Sequence, residues 1–103
     1  MIVLVVEIQT SADTIAALTD AIVEMQRASR REDGCHDYTF CVALDDPSKL
    51  RVNECWEDEA ALKRHFATPH MAAFNQAAAA AGPLQTSIKC YEAREVPFPI
   101  QRG

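Results

Sequence analysis

The alternation of apolar and polar residues along the chain predicts four β-strands. Residues 1–10 are mostly apolar on both sides, a pattern typical of a central strand that is covered on both faces. Residues 35–44 and 50–57 alternate with the period of two that a half-buried strand shows. Residues 45–48 between them have the composition of a turn, so the two strands form a predicted hairpin. The last predicted strand spans residues 84–95.

A helix with one apolar face is predicted between the first two strands. Ser11 suits its N-cap, because a serine hydroxyl can accept a hydrogen bond from a free backbone N–H at the helix start. Gly34 suits its end, because glycine readily takes the left-handed conformation that follows many helices. The apolar positions recur at spacings of three and four residues, namely Ile15, Leu18, Ile22 and Met25.

A second helical region follows the hairpin and is interrupted. Asp58 is its predicted N-cap. Thr68-Pro69 breaks it, because the residue before a proline is pushed out of the helical conformation while proline suits the first turn of a new helix. In one continuous helix, His65 and His70 would point about 140° apart. Two segments joined by a cap can direct both histidines toward one cavity.

The order of these elements, β-α-β-β-α-β, is that of the ferredoxin-like fold of the α+β class. It predicts an antiparallel sheet with helices on one face and a bare second face. Because a large uncovered apolar face usually marks an interface, we expect a homodimer in which two sheets pack face to face. Residues 1–95 form the predicted domain. The apolar tail, residues 96–103, contains two prolines and is expected to lie across the partner subunit.

The composition restricts the partners and the location. The chain has 103 residues, enough for one domain, and its net charge is −5. Because phosphate binding needs clustered basic residues, we expect no nucleic-acid partner. The apolar start is too short for a membrane span and lacks a signal-peptide pattern, so we expect no membrane partner and a cytoplasmic location. The cysteines show no metal-binding spacing and are expected to be buried, reduced thiols: Cys35, Cys41, Cys55 and Cys90.

Four short strings resemble the antibiotic biosynthesis monooxygenase family, and the most similar branch is the bacterial quinol monooxygenases. The strings are Glu7-Ile8, Gly34-Cys35-His36-Asp37-Tyr38, Glu54-Cys55-Trp56-Glu57 and Thr68-Pro69-His70-Met71. The resemblance covers the predicted domain. It implies a dimeric α+β barrel with one pocket per subunit between sheet and helices. It also implies oxidation of quinols or polyphenols by O₂ without flavin, haem or metal, so we expect no cofactor and no metal site.

Two positions differ from branches of this family. The aromatic-polyketide oxygenases carry an asparagine four residues before the pocket tryptophan, whereas Asn53 precedes Trp56 by three. We keep Asn53 as a candidate substrate-binding residue, although on a strand this spacing places it opposite Trp56. The haem-degrading branch carries a histidine in the second helix where this chain has Phe74 and Asn75, so haem binding is not expected.

Oxygenation without a cofactor requires a base that removes a phenolic proton. Histidine suits this task, because its ordinary pKa lies near neutral pH. His65, on the inward face of the helix, is the first candidate, and Glu54 on the neighbouring strand is expected to orient it. His70 is the second candidate base. A buried structural pair of His65 and Glu54 explains the same residues without catalysis.

Aromatic residues supply the second requirement, a pocket that holds an aromatic ring. Trp56 is the expected stacking surface, because its indole offers a large flat face and one N–H donor. Tyr38 and Phe66 complete the predicted wall. Simple packing in the core is the alternative role for each of them.

Two other functions remain open from the sequence. The first is an isomerase or degradative enzyme for a small hydroxy-carbonyl compound, in which the same histidines move protons without O₂. The second is a non-catalytic ligand-binding or stress module, in which the pocket is a filled core.

Overall fold

The computed structural model describes residues 1–100. Its elements are β1 (Ile2–Gln9), α1 (Ala12–Arg30), β2 (Cys35–Ala43), β3 (Asp46–Trp56), α2 (Glu59–Phe66), α3 (Pro69–Ala81) and β4 (Gln85–Glu92). The predicted order is confirmed, and the break predicted at Thr68-Pro69 divides the second helical region into α2 and α3. Within residues 1–100, no helix is long and apolar enough to cross a membrane.

The strands form one antiparallel sheet in the order β2-β3-β1-β4. β1 lies inside the sheet between β3 and β4, as its apolar composition predicted. Every second residue of β1 and β3 is buried on the face toward the helices: Leu4, Val6, Ile8, Leu50 and Val52. This architecture is the ferredoxin-like α+β fold that the sequence predicted.

Helix α1 closes the core with the apolar face that its spacing predicted. Its four predicted inward residues are buried: Ile15, Leu18, Ile22 and Met25. The Ser11 hydroxyl accepts a hydrogen bond from the Thr14 N–H at 3.1 Å, as expected of an N-cap. Each large apolar side chain buried in this way contributes about 1.5–3 kcal/mol. Packing of α1 on β2 and α3 therefore fixes the position of the loop that follows its last turn.

The hairpin turn lies earlier in the chain than residues 45–48. Leu44 and Asp45 form the turn, and β3 already begins at Asp46. Ala43 pairs with Asp46 while Val42 pairs with Leu50, so residues 47–49 bulge out of the ladder. The proline within this bulge needs no ladder hydrogen bond, which explains how a turn-forming sequence becomes part of a strand.

The cysteines are free, but their predicted burial is wrong. Cys41 and Cys90 are exposed, and Cys35 and Cys55 are partly buried. The exposed pair lies on β2 and β4, the two edge strands of the sheet. An edge strand has a neighbour on one side only, so its side chains are less completely covered than those of β1.

The tail after β4 remains apolar and uncovered as far as it is described. Val96, Phe98 and Ile100 are all more than half exposed. Of the predicted tail, residues 101–103 lie outside the described residues. Its contact with a partner subunit stays a prediction.

Gly34 brings α2 against the start of β2. Its φ of +84° is the left-handed conformation predicted for the end of the first helical region. A Cβ added at Gly34 would lie 2.7 Å from the Cβ of Ala61 in α2. The Gly34 carbonyl also accepts a hydrogen bond from the Glu57 N–H at 2.7 Å. Glycine is therefore required here both by the backbone conformation and by the approach of the helix.

We expect Gly34→Ala to lower the free energy of unfolding by about 2–5 kcal/mol, the sum of a left-handed backbone penalty and an overpacking penalty. Urea denaturation monitored by circular dichroism measures this change. In an Ala61→Gly background the steric part is relieved, so the same substitution should cost less there. An equal cost in both backgrounds would show that the two positions do not clash.

Candidate active site

A cavity of about 160 Å³ lies between the sheet and the helices α2 and α3. Its aromatic lining is formed by Tyr38, Phe40, Phe66 and Phe74, and its polar lining includes Glu54, His65 and Asn75. It opens beside β4, where Ile88 lines the cavity and is more than half exposed. The cavity is therefore an aromatic pocket with a few polar groups, the usual character of a small-molecule site.

His65 is the most enclosed polar group of this cavity. Its side chain is only 1% exposed, and its ring centroid lies 4.8 Å from that of Trp56 and 5.2 Å from that of Tyr38. The end of α2 is held by Thr68, whose hydroxyl donates a hydrogen bond to the His65 carbonyl at 2.7 Å. The same hydroxyl accepts from the Met71 N–H at 3.3 Å and caps α3. The break between the helices thus fixes the position of His65.

Glu32 holds the His65 ring. Its Oε2 lies 2.6 Å from His65 Nδ1. An ionised carboxylate can only accept a hydrogen bond, and a neutral imidazole carries one proton, so this pairing places the proton on Nδ1. Since His65 lines the cavity and Nδ1 is engaged, Nε2 is the basic nitrogen that a ligand can meet.

His70 binds the same carboxylate from the other side. Its Nε2 lies 2.8 Å from Glu32 Oε2, and the ring centroids of His65 and His70 are 5.9 Å apart. The predicted convergence of the two histidines is therefore present in the structure, but they meet at a carboxylate and not in the cavity. His70 lines a smaller cavity beside α1.

Glu54 lies in the pocket but does not orient His65 as expected. Its Oε1 accepts a hydrogen bond from Trp56 Nε1–H at 3.0 Å. Burial raises the pKa of the Glu54 carboxyl above its usual range, while the Trp56 hydrogen bond and nearby His65 oppose that rise. Glu54 is thus a buried acid that faces the same cavity as the candidate base.

Two further titratable side chains beside the pocket, Tyr38 and Cys35, stay neutral at neutral pH. Burial, together with the charges of Glu54 and Glu32, raises the pKa of the Tyr38 phenol. Burial, together with Glu32, raises the pKa of the Cys35 thiol to about 11. Because a thiol attacks only as its thiolate, Cys35 is not a nucleophile under these conditions.

A β-bulge at the start of β2 gives Tyr38 its inward direction. Cys35 pairs with Trp56 and Asp37 pairs with Cys55, which leaves His36 without a partner on β3. The extra residue changes the face on which later side chains lie, so Tyr38 stands opposite Glu54 on the pocket side. His36 is left near the surface, 2.5 Å from a Glu57 oxygen.

Residues 1–77, about three-quarters of the chain, match the model of one protein family, described as antibiotic biosynthesis monooxygenase. The chain belongs to the antibiotic biosynthesis monooxygenase family. Among curated proteins, none matches it.

Solved structures share this fold over nearly the whole chain. A protein from Deinococcus radiodurans, provisionally assigned as an antibiotic biosynthesis monooxygenase, is 27% identical, with a TM-score of 0.84 over 98% of this chain and 100% of that one. PA3566 from Pseudomonas aeruginosa is 26% identical, with a TM-score of 0.79 over 91% and 94% of the two chains. Rv0793 from Mycobacterium tuberculosis is 18% identical, with a TM-score of 0.81 over 94% and 98%, and is similar in fold alone.

In this member of the antibiotic biosynthesis monooxygenase family, the structure brings together four of the predicted site residues: His65, Glu54, Tyr38 and Phe66 all line the cavity. Phe66 is half exposed at its rim.

The expected stacking surface, Trp56, is not part of the lining. Its side chain is 0% exposed and lies behind His65, because α2 packs over the end of β3. Trp56 therefore cannot stack on a ligand in this cavity, and its predicted role as a stacking platform is wrong. Trp56 instead supports the ring of His65 and holds Glu54 through its N–H.

Asn53 lies outside the site. It is exposed and pairs with Val5 and Thr39 on the face of the sheet away from the helices. The strand period of two places it opposite Glu54 and Trp56, so we leave it out of the site.

Sequence reasoning missed Glu32, the partner of both histidines. It lies in the loop after α1, where its sequence neighbours indicate only the end of a helix. Phe40 and Phe74 also line the cavity. The sequence carries a signal for each: Phe40 alternates with Tyr38 along β2, and Phe74 lies on the inner face of α3.

The raised pKa of Glu54 makes the stability of the fold depend on pH. A carboxyl with a raised folded-state pKa binds its proton more tightly when folded, so stability falls as pH rises from the unfolded-state value of about 4.3 through the folded-state value. Glu54→Gln keeps an acceptor for the Trp56 N–H. Because glutamine does not ionise, the variant does not lose stability in this way as pH rises. We therefore expect the variant to melt above the wild type at pH 7.5, with an advantage that vanishes toward pH 4.

Thermal unfolding at the two pH values measures this difference. Glu7→Gln is the matched control on the other face of the same sheet. Lys49 lowers the pKa of the Glu7 carboxyl through a hydrogen bond and its charge, so Glu7 contributes stability that is lost as pH falls. The Glu7 variant should gain nothing at pH 7.5. An unchanged melting temperature for Glu54→Gln at both pH values would contradict the burial cost.

Proposed function

We propose that this protein is a cofactor-independent monooxygenase that oxidises a small quinol or polyphenol with O₂, with His65 as the base. The observation that carries the proposal is the environment of the His65 ring. Its Nδ1 is held by Glu32, its ring lines an aromatic cavity, and its Nε2 makes no hydrogen bond to any of residues 1–100. This is the arrangement of a general base, in which a carboxylate fixes the tautomer and the opposite nitrogen accepts a proton. Family membership and the monooxygenase names of similar structures support the same reaction class.

The reaction begins when His65 Nε2 takes the proton of a substrate hydroxyl. The phenolate passes one electron to O₂ more readily than the neutral phenol does, and the resulting radical pair joins in a C–O bond at a ring carbon that carries hydrogen. His65 then returns its proton to the peroxide, which gives a hydroperoxide. Loss of water from this hydroperoxide gives the carbonyl of a quinone. One oxygen atom of O₂ stays on the ring and the other leaves in water, so one phenol and one O₂ give one quinone and one water.

The size of the cavity favours a small substrate. About 160 Å³ is below the range of about 300–1,000 Å³ typical of pockets for drug-sized ligands. A single-ring quinol therefore suits this chain better than a polyketide of several rings. Its ring would lie among Tyr38, Phe40 and Phe74, and aromatic pairs of this kind contribute about 0.5–1.5 kcal/mol beyond their buried area. The second oxygen of such a quinol would meet Glu54 or Asn75.

We expect His65→Ala to lower kcat/KM for quinol-dependent O₂ uptake by about 10²–10⁴-fold, the usual contribution of a positioned general base. O₂ uptake by metal-stripped protein with a reduced benzoquinol or naphthoquinol, corrected for autoxidation, measures this effect. His36→Ala is the matched control, because His36 also pairs with a glutamate but is exposed and outside the cavity. The control should retain wild-type uptake.

Wild-type uptake no faster than autoxidation across a panel of quinols would overturn the oxygenase proposal. Equal losses in the His65 and His36 variants would overturn the role of His65 alone. Circular dichroism of each variant separates loss of activity from loss of fold.

One observation favours a second candidate, proton transfer on a small hydroxy-carbonyl compound. The cavity presents a base, His65, and a buried acid, Glu54, to the same space. Such a pair can remove a proton from one atom and return it to another without O₂. Turnover of a hydroxy-carbonyl compound that persists under anaerobic conditions distinguishes this reaction from oxygenation.

We also propose that the protein acts as a homodimer in which the tail covers the partner. Exposed apolar side chains continue from β4 into the tail: Ile88, Tyr91, Val96, Phe98 and Ile100. Because Ile88 also lines the cavity, a partner on this side would close its open end. The other face of the sheet is more polar than expected, since Glu7 forms ion pairs there with Lys49 and Arg51.

Deletion of residues 96–103 should weaken dimerisation at least about tenfold, because burial of two or three large apolar side chains contributes several kcal/mol. Sedimentation equilibrium of the two forms measures the dissociation constants. Phe98→Ser with Ile100→Ser keeps the chain length and should reproduce the effect. An unchanged dissociation constant in both variants would remove the tail from the interface.

A further inference from the structure

We propose that Glu32, His65 and His70 form a binding site for a divalent transition-metal ion of the Zn²⁺ class, which displaces the hydrogen bonds among them. The three residues come from the loop after α1, from α2 and from α3. Their ligand atoms lie within 4.8 Å of one another. No other set of three histidine, cysteine or acidic residues in the described part of the chain converges in this way.

The distances allow an ion with little movement. Glu32 Oε2 lies 2.6 Å from His65 Nδ1 and 2.8 Å from His70 Nε2. Ligand atoms at about 2.0–2.2 Å from a tetrahedral ion are separated by roughly 3.3–3.5 Å. The carboxylate therefore has to move away from each ring by less than about 1 Å, which a glutamate side chain can do by rotation. The two ring nitrogens lie within 4.8 Å of each other, so they have to approach by at most about 1.5 Å to reach the tetrahedral separation.

The ligand set selects a class of ion. Two imidazoles and one carboxylate suit Zn²⁺ and its transition-metal neighbours, whereas Mg²⁺ and Ca²⁺ prefer oxygen ligands alone. The exposure of the side chains also suits an ion that enters from water. The side chain of His65 is only 1% exposed, whereas those of Glu32 and His70 are 13% and 20% exposed. Water that reaches Glu32 and His70 from their exposed side would supply the fourth ligand.

Metal binding has a consequence for His65 that rests on the proposed function. An ion on Nδ1 needs the lone pair of that nitrogen, so the proton of the neutral ring moves to Nε2. His65 then presents an N–H to the cavity in place of a lone pair and cannot accept a proton from a quinol. The same ion joins α2, α3 and the loop after α1, so it should also stabilise the fold.

Titration calorimetry of metal-stripped protein with ZnCl₂ tests the site directly. Because the exposed thiols of Cys41 and Cys90 can also bind Zn²⁺, all measurements use a Cys41→Ser/Cys90→Ser background. We expect one ion per chain, a higher melting temperature with ZnCl₂, and no binding of MgCl₂. Glu32→Gln and His70→Ala should each weaken binding at least about tenfold, because second-shell changes alone cost 10–100-fold.

His36→Ala is the matched control, since it removes the other histidine that pairs with a glutamate, and it should bind Zn²⁺ as the background protein does. His70 is only partly buried, so its variant remains informative if the Glu32 variant fails to fold. Absence of stoichiometric binding, or binding that both His70→Ala and Glu32→Gln leave unchanged, would overturn the site.

Inhibition of quinol-dependent O₂ uptake is a separate measurement. Zn²⁺ binding accompanied by inhibition that His70→Ala relieves supports both the site and the role of His65 as base. Zn²⁺ binding at this site without inhibition overturns the role of His65 as base and leaves the metal site established. Failure of the metal site and failure of the proposed function are thereby distinguished.

Discussion

The pairing of the Glu32 carboxylate with two histidines is the interaction on which the site depends. His65 is almost fully enclosed and Glu32 is largely buried, and a buried polar group without a partner costs about 1–3 kcal/mol. The Glu32 carboxylate forms hydrogen bonds with both rings, and these bonds offset the cost of burying all three side chains. It also decides which nitrogen of His65 faces the cavity. One side chain outside the pocket therefore determines the chemistry that the pocket can perform.

The rest of the fold brings this trio together from distant parts of the chain. The packing of α1 on the sheet fixes the loop that carries Glu32, and Gly34 lets α2 approach that loop closely. The Thr68 hydroxyl ends α2 at His65 and begins α3 next to His70. The sheet supplies the pocket floor, and its central strand β1 is apolar toward the helices. A few local features of a common fold thus place the three side chains of this site.

Local patterns in the sequence predicted the fold and part of the site. The period of two along β3 places Glu54 and Trp56 on one face and Asn53 on the other, and the structure agrees. The N-caps of all three helices could also be predicted from the sequence, because capping depends on residues close in sequence. The role of Glu32 could not be predicted in this way. It lies 33 residues from His65, and only the packing of three elements brings the two side chains together. The burial of Trp56 behind His65 likewise depends on how α2 crosses the strand end.

The position of Trp56 gives the protein an optical property of its own. It is the only tryptophan of the chain, it is fully shielded from water, and its ring lies against that of His65. Indole fluorescence responds to the charge and bonding of a ring in direct contact. The intrinsic emission of this protein thus comes from a single buried reporter beside the candidate base, with no label and no competing tryptophan signal.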